Sequence, residues 1–132
     1  MDKITQKILF LEKALTSLED MIKEPVGKKR AEIDSSIQRF EYTFELCWKT
    51  IQVILESKGL NVNYPKDVLK AAYKGEIITH DKLWLSMLAD RNETPHAYDM
   101  NVADRIYKDI KNTYFPELQK TVLYLKNSYS KN

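Results

Sequence analysis

Residues that build tight turns and covalent cross-links are scarce in this chain. Its 132 residues include one cysteine, three glycines and four prolines. A single cysteine excludes an intramolecular disulfide. So few turn-forming residues favour long helices over a many-stranded sheet.

Long apolar runs and a large excess of charge of one sign are also absent. No apolar run approaches the roughly 18–20 residues of a membrane span, and the opening segment MDKITQKILFLEK carries charges where a signal peptide is apolar. We therefore expect a cytoplasmic protein that has no membrane partner. The 21 basic and 19 acidic side chains leave a net charge of +2, which is too balanced to predict nucleic-acid binding but allows a small local phosphate site.

Apolar residues recur at helical spacing along the first half of the chain. Between residues 3 and 23 they are spaced by three or four positions, which predicts an amphipathic helix. Its stripe consists of Ile4, Ile8, Leu11, Leu15, Leu18 and Ile22. A second helix is predicted from about Lys28 to Lys58, with Gly59 as its C-cap. Its stripe consists of Ile33, Ile37, Phe40, Phe44, Cys47, Trp48, Ile51, Ile54 and Leu55. Within this stripe we interpret Cys47 as a small core residue.

Turn and capping residues divide the second half of the chain. Pro65 suits the first turn of a short third helix over residues 65–75. Thr79 is a good N-cap for a fourth helix, HDKLWLSMLADRNE. This helix should end near residue 94, because Pro95 disfavours the α conformation at the residue before it.

A fifth helix should follow and run to about Tyr129. Either Asp99 or Asn101 can cap it, and Pro116 should kink or interrupt it. Its apolar face includes Ile106, Ile110, Phe115 or Leu118, Val122 and Leu125. Antiparallel packing buries these stripes, so we predict an all-α, antiparallel four-helix bundle with an additional short helix, in one domain spanning residues 1–132.

The segment RNETPHAY, residues 91–98, combines side chains that can act on a phosphate. Arg91 is a permanent cation with a planar fork, and His96 can exchange a proton near neutral pH. Pro95 should turn the chain so that His96 approaches Arg91. Such a pair suffices for RNA cleavage without a metal ion, because the ribose 2′-hydroxyl is a built-in nucleophile. A contact for a partner protein, or a turn that merely contains a histidine, are the alternatives.

Other chemistry has weaker support in the residues. His80 and His96 with the nearby aspartates do not form a zinc or di-iron spacing, so we expect no metal and no cofactor. The chain has neither a glycine-rich phosphate loop nor the strand motif of a nucleotidyltransferase. It should therefore not transfer nucleotides alone.

Three segments, in this order and spacing, resemble the small bacterial nucleotidyltransferase substrate-binding proteins of the HEPN superfamily, which are close to the HepT toxins. They are RFEYTFELCWKTIQ (39–52), YPKDVLKAAYKGEI (64–77) and WLSMLADRNETPHAYD (84–99). The resemblance implies a helical bundle that forms a homodimer. It also implies a metal-independent endoribonuclease site at the dimer cleft, with Arg91 and His96 catalytic and Asn92 as a supporting polar residue.

The resemblance further implies a partner, a small MntA-type nucleotidyltransferase that acts as the antitoxin of a toxin–antitoxin pair. It would neutralise the toxin by AMPylation of Tyr98. The alternative for this family is a non-catalytic substrate-binding subunit of a two-component nucleotidyltransferase. Pro95 departs from the family pattern, in which a small polar residue tends to precede the histidine. Proline either locks His96 in place or removes a backbone donor for phosphate.

Overall fold

Six α-helices account for most of residues 1–131, the part of the chain that the computed structural model describes. They are α1 (Lys3–Ile22), α2 (Ala31–Ser57), α3 (Pro65–Lys74), α4 (Asp81–Glu93), α5 (Met100–Asp109) and α6 (Phe115–Tyr129). A 3₁₀ turn, Thr94–His96, follows α4, and a π-helical turn, Ile110–Tyr114, joins α5 directly to α6. Residues 1–131 contain no β-strand, which confirms the predicted all-α class.

Hydrogen bonds between the helices show that neighbours run in opposite directions. Thr43 on α2 donates to the carbonyl of Ala14 at 3.3 Å, and Arg39 donates to the carbonyl of Ser17 at 2.9 Å. Helices α1 and α2 therefore run antiparallel. The same reversal relates α1 to α6, and α3 packs as the additional short helix against α2 and α4. This is the predicted antiparallel bundle.

The predicted stripes form the core, and aromatic rings fill its centre. All nine residues of the α2 stripe are buried, whereas Ile4 and Leu15 of α1 are only partly buried. The Phe40 ring stacks on Tyr114 with centroids 5.5 Å apart, and Phe44 lies 6.2 Å from Trp84. Truncating such a buried ring typically costs about 3–5 kcal/mol. These rings therefore hold α2, α4 and the π-helical turn together.

Two predicted helix starts are wrong. Helix α2 begins at Ala31 and not near residue 28, because Arg30 takes the left-handed conformation with φ of 60°. The N-cap position of α4 is His80 and not Thr79, and the His80 side chain makes no capping hydrogen bond. The preceding Ile77 and Ile78 are buried, so core packing sets the path of this connection.

Other local predictions are confirmed. Gly59 closes α2 with φ of 87°, a conformation that glycine adopts without strain, although the C-cap position itself is Lys58, one residue earlier than predicted. Asp99, the first of the two predicted caps, accepts a hydrogen bond from the backbone of Asn101 at 2.9 Å. Pro116 interrupts the regular α-helical pattern, and the π-helical turn lies directly before α6. None of the helices within residues 1–131 combines the length and apolarity of a membrane span.

Candidate functional site

The Arg91–Tyr98 segment forms the junction between α4 and α5. Arg91 lies in the last turn of α4, and Pro95 lies in the 3₁₀ turn that follows. The backbone of Ala97 donates to the Thr94 carbonyl at 3.0 Å, and that of Asp99 donates to the His96 carbonyl at 3.0 Å. Two successive bonds therefore close the turn. Helix α4 ends near residue 94 as predicted, but the predicted reason is wrong, because Thr94 keeps the α conformation with φ of −57° and ψ of −29°.

Two carboxylates of α2 hold the Arg91 guanidinium. Its Nε donates to Glu45 Oε1 at 3.0 Å, and its Nη1 lies 3.4 Å from Glu41 Oε2. Glu45 also accepts a hydrogen bond from the Trp48 indole at 3.1 Å. The Arg91 side chain is 26% exposed, and its Nη2 has no hydrogen-bond partner within residues 1–131. The fork is thus oriented by α2, with one edge still available to a ligand.

Thr94 fastens the turn to α2. It is buried, and its hydroxyl lies within hydrogen-bonding distance of Glu41 Oε2 and 2.8 Å from the Arg91 carbonyl. One Glu41 carboxylate therefore contacts both the last turn of α4 and the turn that carries His96. This arrangement fixes the backbone on either side of Pro95.

Asp90, the neighbour of Arg91, anchors the same end of α4 to α5 and the π-helical turn. The Tyr114 hydroxyl donates to Asp90 Oδ2, and Arg105 Nη2 lies 3.0 Å from Asp90 Oδ1. Burial, and secondly the hydrogen bond to Asp90, raise the pKa of Tyr114 well above its ordinary value. The hydroxyl therefore stays a donor into the alkaline range in which an exposed tyrosine ionises. The two faces of α4 are held by separate polar networks, Asp90 on one and Arg91 on the other.

His96, Tyr98 and Asn92 are presented to solvent. The Tyr98 side chain is 83% exposed, and the His96 and Tyr98 rings meet edge to face with centroids 6.1 Å apart. Within residues 1–131, neither ring forms a hydrogen bond to Arg91, and the exposed Asn92 side chain forms none either. The four predicted site residues lie in the last turn of α4 and the turn that follows it, but no hydrogen bond joins His96 to Arg91.

A cavity of about 390 Å³ lies between α2 and the turn. Its lining consists of Asp34, Ile37, Gln38, Glu41, Thr94, Ala97 and Tyr98. Neither Arg91 nor His96 is part of this lining, which contains two carboxylates and no basic side chain. The cavity therefore suits a neutral or cationic group better than a phosphate.

Sequence reasoning did not find the partners of Arg91. Glu45 precedes Lys49 by four residues on α2, a spacing that by itself favours an ion pair within that helix. That pair is present at 3.9 Å, but Glu45 also reaches Arg91, 46 residues away. The spacing of two glutamates four residues apart on a buried helix was the available signal. Among residues 1–131, His, Cys, Asp and Glu side chains do not gather in threes that could hold a metal ion.

Comparison with known proteins agrees with this helical arrangement. Residues 6–127 match the family described as "nucleotidyltransferase substrate binding protein like". A protein of Thermus thermophilus with a known crystal structure is 32% identical, with a TM-score of 0.74, covering 89% of this chain and 96% of that one. HI0074 of Haemophilus influenzae, described as the substrate binding domain of a nucleotidyltransferase, is 25% identical with a TM-score of 0.79, covering 90% and 98%.

A curated relative adds a second description. The "Probable ribonuclease HepT" of Haemophilus influenzae is 31% identical over an 83-position alignment that covers 59% of this chain and 57% of that protein. The match thus spans less than two thirds of that relative. The chain belongs to the nucleotidyltransferase substrate-binding family and is HepT-like, as the sequence resemblance predicted.

Proposed function

We propose that this chain is the HepT-like component of a nucleotidyltransferase-paired toxin–antitoxin system and cleaves RNA without a metal ion, using Arg91 and His96. One observation supports this most directly. Two carboxylates of α2 orient the Arg91 fork at the base of a closed turn that exposes His96. A preset cation and an exposed imidazole in one segment are the minimal set of groups for cleavage next to a ribose 2′-hydroxyl.

Each group has a defined part in the reaction. Neutral His96 takes the proton of the 2′-hydroxyl as its oxygen attacks the adjacent phosphorus. The bond to the 5′-oxygen breaks, which gives a 2′,3′-cyclic phosphate and, after protonation, a 5′-hydroxyl. The remaining edge of Arg91 donates to the phosphoryl oxygens, on which negative charge accumulates. Asn92, exposed beside Arg91, supplies a further polar contact to the RNA.

A homodimer completes the set of proton-transfer groups. The reaction needs a base for the 2′-hydroxyl and an acid for the 5′-oxygen, and one chain offers a single histidine in this segment. A two-fold axis beside the segment would supply a second His96 and a second Arg91 to one cleft. The second cation also offsets the two carboxylates that surround each Arg91.

The test is cleavage of end-labelled RNA by the purified full chain in EDTA. We expect 2′,3′-cyclic phosphate ends from the wild type and a loss of about 10²–10³-fold for Arg91→Ala or His96→Ala. His80→Ala is the matched control, because its side chain is 58% exposed and it is the only other histidine. Equal cleavage by all four proteins would exclude this site. No cleavage by folded, dimeric wild type would reject the ribonuclease function.

One observation favours a second function, a non-catalytic substrate-binding subunit of a nucleotidyltransferase. Tyr98 is 83% exposed and lines the cavity between α2 and the turn, so a partner enzyme can reach its hydroxyl. The related HI0074 is described as the substrate binding domain of a nucleotidyltransferase. A small MntA-type nucleotidyltransferase is the partner under either function. AMPylation joins the Tyr98 oxygen to the α-phosphorus of ATP, releasing pyrophosphate and the phenolic proton.

Labelled ATP and the partner nucleotidyltransferase test this acceptor role. We expect label on the wild type and none on Tyr98→Phe. Tyr64→Phe is the control, because Tyr64 is 70% exposed and lies outside the segment. Label that persists on Tyr98→Phe would reject Tyr98 as the acceptor. If the unmodified protein cleaves RNA and the AMPylated protein does not, the chain is a ribonuclease that AMPylation of Tyr98 inhibits.

A further inference from the structure

An apolar groove lies apart from the Arg91–Tyr98 segment. It encloses about 880 Å³ where α3 meets the start of α4 and the loop after α2. Its apolar lining includes Leu60, Leu69, Ala71, Tyr73 and Leu85. Leu85 precedes Arg91 by six residues on α4, or about 9 Å along the helix axis. The groove is therefore a separate surface and not an extension of the proposed site.

The apolar side chains of this groove are partly open to water. Leu60 is 49% exposed and Tyr73 is 45% exposed, whereas Leu69 is buried and forms part of the lining. Single exposed apolar residues are common, but here several converge on one concave surface, where the apolar side chains of an occupant can cover them together. The aliphatic lining calls for aliphatic side chains from the occupant.

Lysines form one border of the groove. Lys66, Lys70 and Lys74 are spaced by four residues on α3, so they form one stripe along that helix, and all three are exposed. Lys70 and Lys74 belong to the lining itself. Within residues 1–131, none of the three lies within 4 Å of a carboxylate, and Asp81 is the one acidic side chain in the lining. This border lacks its counter-charges.

We infer that the groove binds the apolar face of an acidic amphipathic helix carried by a partner protein. The apolar face fills the aliphatic lining, and acidic residues beside it pair with Lys70 and Lys74. A single-stranded RNA would gain the lysines and Tyr73, but its polar base edges would find no hydrogen-bonding partner on the leucines.

A charge-reversal experiment on the full chain tests this inference. The probe is a fluorescein-labelled, 16-residue helical peptide with leucines at helical spacing and glutamates on both flanks. A second peptide has lysines in place of the glutamates. Lys70→Glu/Lys74→Glu is the groove variant, and Lys108→Glu/Lys111→Glu, outside the groove, is the control of equal charge. Leu60→Ser tests the apolar lining without changing charge, and circular dichroism checks that each variant is folded.

We expect the acidic peptide to bind the wild type and the control variant equally. The groove variant should weaken this binding about tenfold and bind the lysine peptide better than the wild type does. Leu60→Ser should weaken the binding of the acidic peptide to the otherwise wild-type protein. Added to the groove variant, it should weaken the binding of the lysine peptide. Equal effects of the groove and control variants would overturn the inference, as would tighter binding of labelled oligouridine at the same lysines. Loss of a homodimer in the groove variant would assign the groove to a second copy and also overturn it.

Discussion

The hydrogen bond between Tyr114 and Asp90 predicts a measurable energetic coupling. Both side chains are buried, Tyr114 at 4% and Asp90 at 7% exposure. The hydroxyl donates to Oδ2 of Asp90, and Arg105, half exposed, pairs with the same carboxylate. Because hydrogen bonds to charged groups contribute about 1.5–3 kcal/mol, Tyr114→Phe should lower the free energy of unfolding by that amount.

The single and double variants should not add. Asp90→Ala leaves the buried Tyr114 hydroxyl without a hydrogen-bond partner, at a cost of about 1–3 kcal/mol. It also removes the half-exposed ion pair with Arg105, which is worth up to about 1 kcal/mol. In the double variant the hydroxyl is absent as well, so the cost of the unpaired hydroxyl disappears. The double variant should therefore be about 1–3 kcal/mol more stable than the sum of the two single effects predicts.

Urea unfolding at pH 7, followed by tryptophan fluorescence and circular dichroism, measures this coupling. Tyr107→Phe is the matched control, because the buried Tyr107 hydroxyl has no hydrogen-bond partner within residues 1–131. Its removal should change stability by less than about 0.5 kcal/mol or increase it. Additivity of the Tyr114 and Asp90 effects within about 0.5 kcal/mol would refute the coupling.

The remaining predictions concern pH, thiol reactivity and backbone strain. Because the pKa of Tyr114 is raised, the folded state keeps the Tyr114 proton above pH 10, where the unfolded chain loses it. The free energy of unfolding of the wild type should therefore fall above pH 10 more steeply than that of Tyr114→Phe, by up to about 1.4 kcal/mol per pH unit. Equal slopes of the two free energies against pH, measured by urea unfolding, would contradict this. Burial raises the pKa of Cys47 to about 12, so iodoacetamide at pH 8 should label this thiol only when the protein unfolds. Mass spectrometry measures the labelling, and rapid labelling of the folded protein would refute the prediction. Gly59→Ala, at φ of 87°, should lower the free energy of unfolding by about 1 kcal/mol, whereas Glu76→Gly, at φ of 62°, should raise it by up to about 1 kcal/mol. Melting temperatures that shift in the same direction for both variants would contradict the strain expected at these positive φ angles.

Much of the fold follows from local information. The stripe from Ile33 to Leu55 is buried along its whole length because its spacing matches the helical period, whatever the helix packs against. Helix ends were less predictable. The left-handed turn at Arg30 and the buried pair Ile77 and Ile78 reflect how connections reach the core, which no short window of sequence encodes.

The candidate site divides in the same way. The end of α4 near Pro95 follows from residues 91–99 alone, because proline has no N–H to continue the helical hydrogen bonds, even though Thr94 before it keeps the α conformation. The closed turn depends in addition on the Thr94 hydroxyl, which contacts Glu41 on α2. The partners of Arg91 do not follow from that segment, since Glu41 and Glu45 are 50 and 46 residues away and contact it only when α2 and α4 pack together.

By itself, then, the sequence determined the helices, their apolar faces and the composition of the Arg91–Tyr98 segment, because each depends on spacing within one helix or turn. Tertiary structure decided which charges surround Arg91, and it paired Asp90 with Tyr114 and Arg105. Those contacts join residues 15–50 positions apart, and their geometry depends on the rotation of each helix about its own axis. That rotation is set by how the aromatic rings of the core interlock.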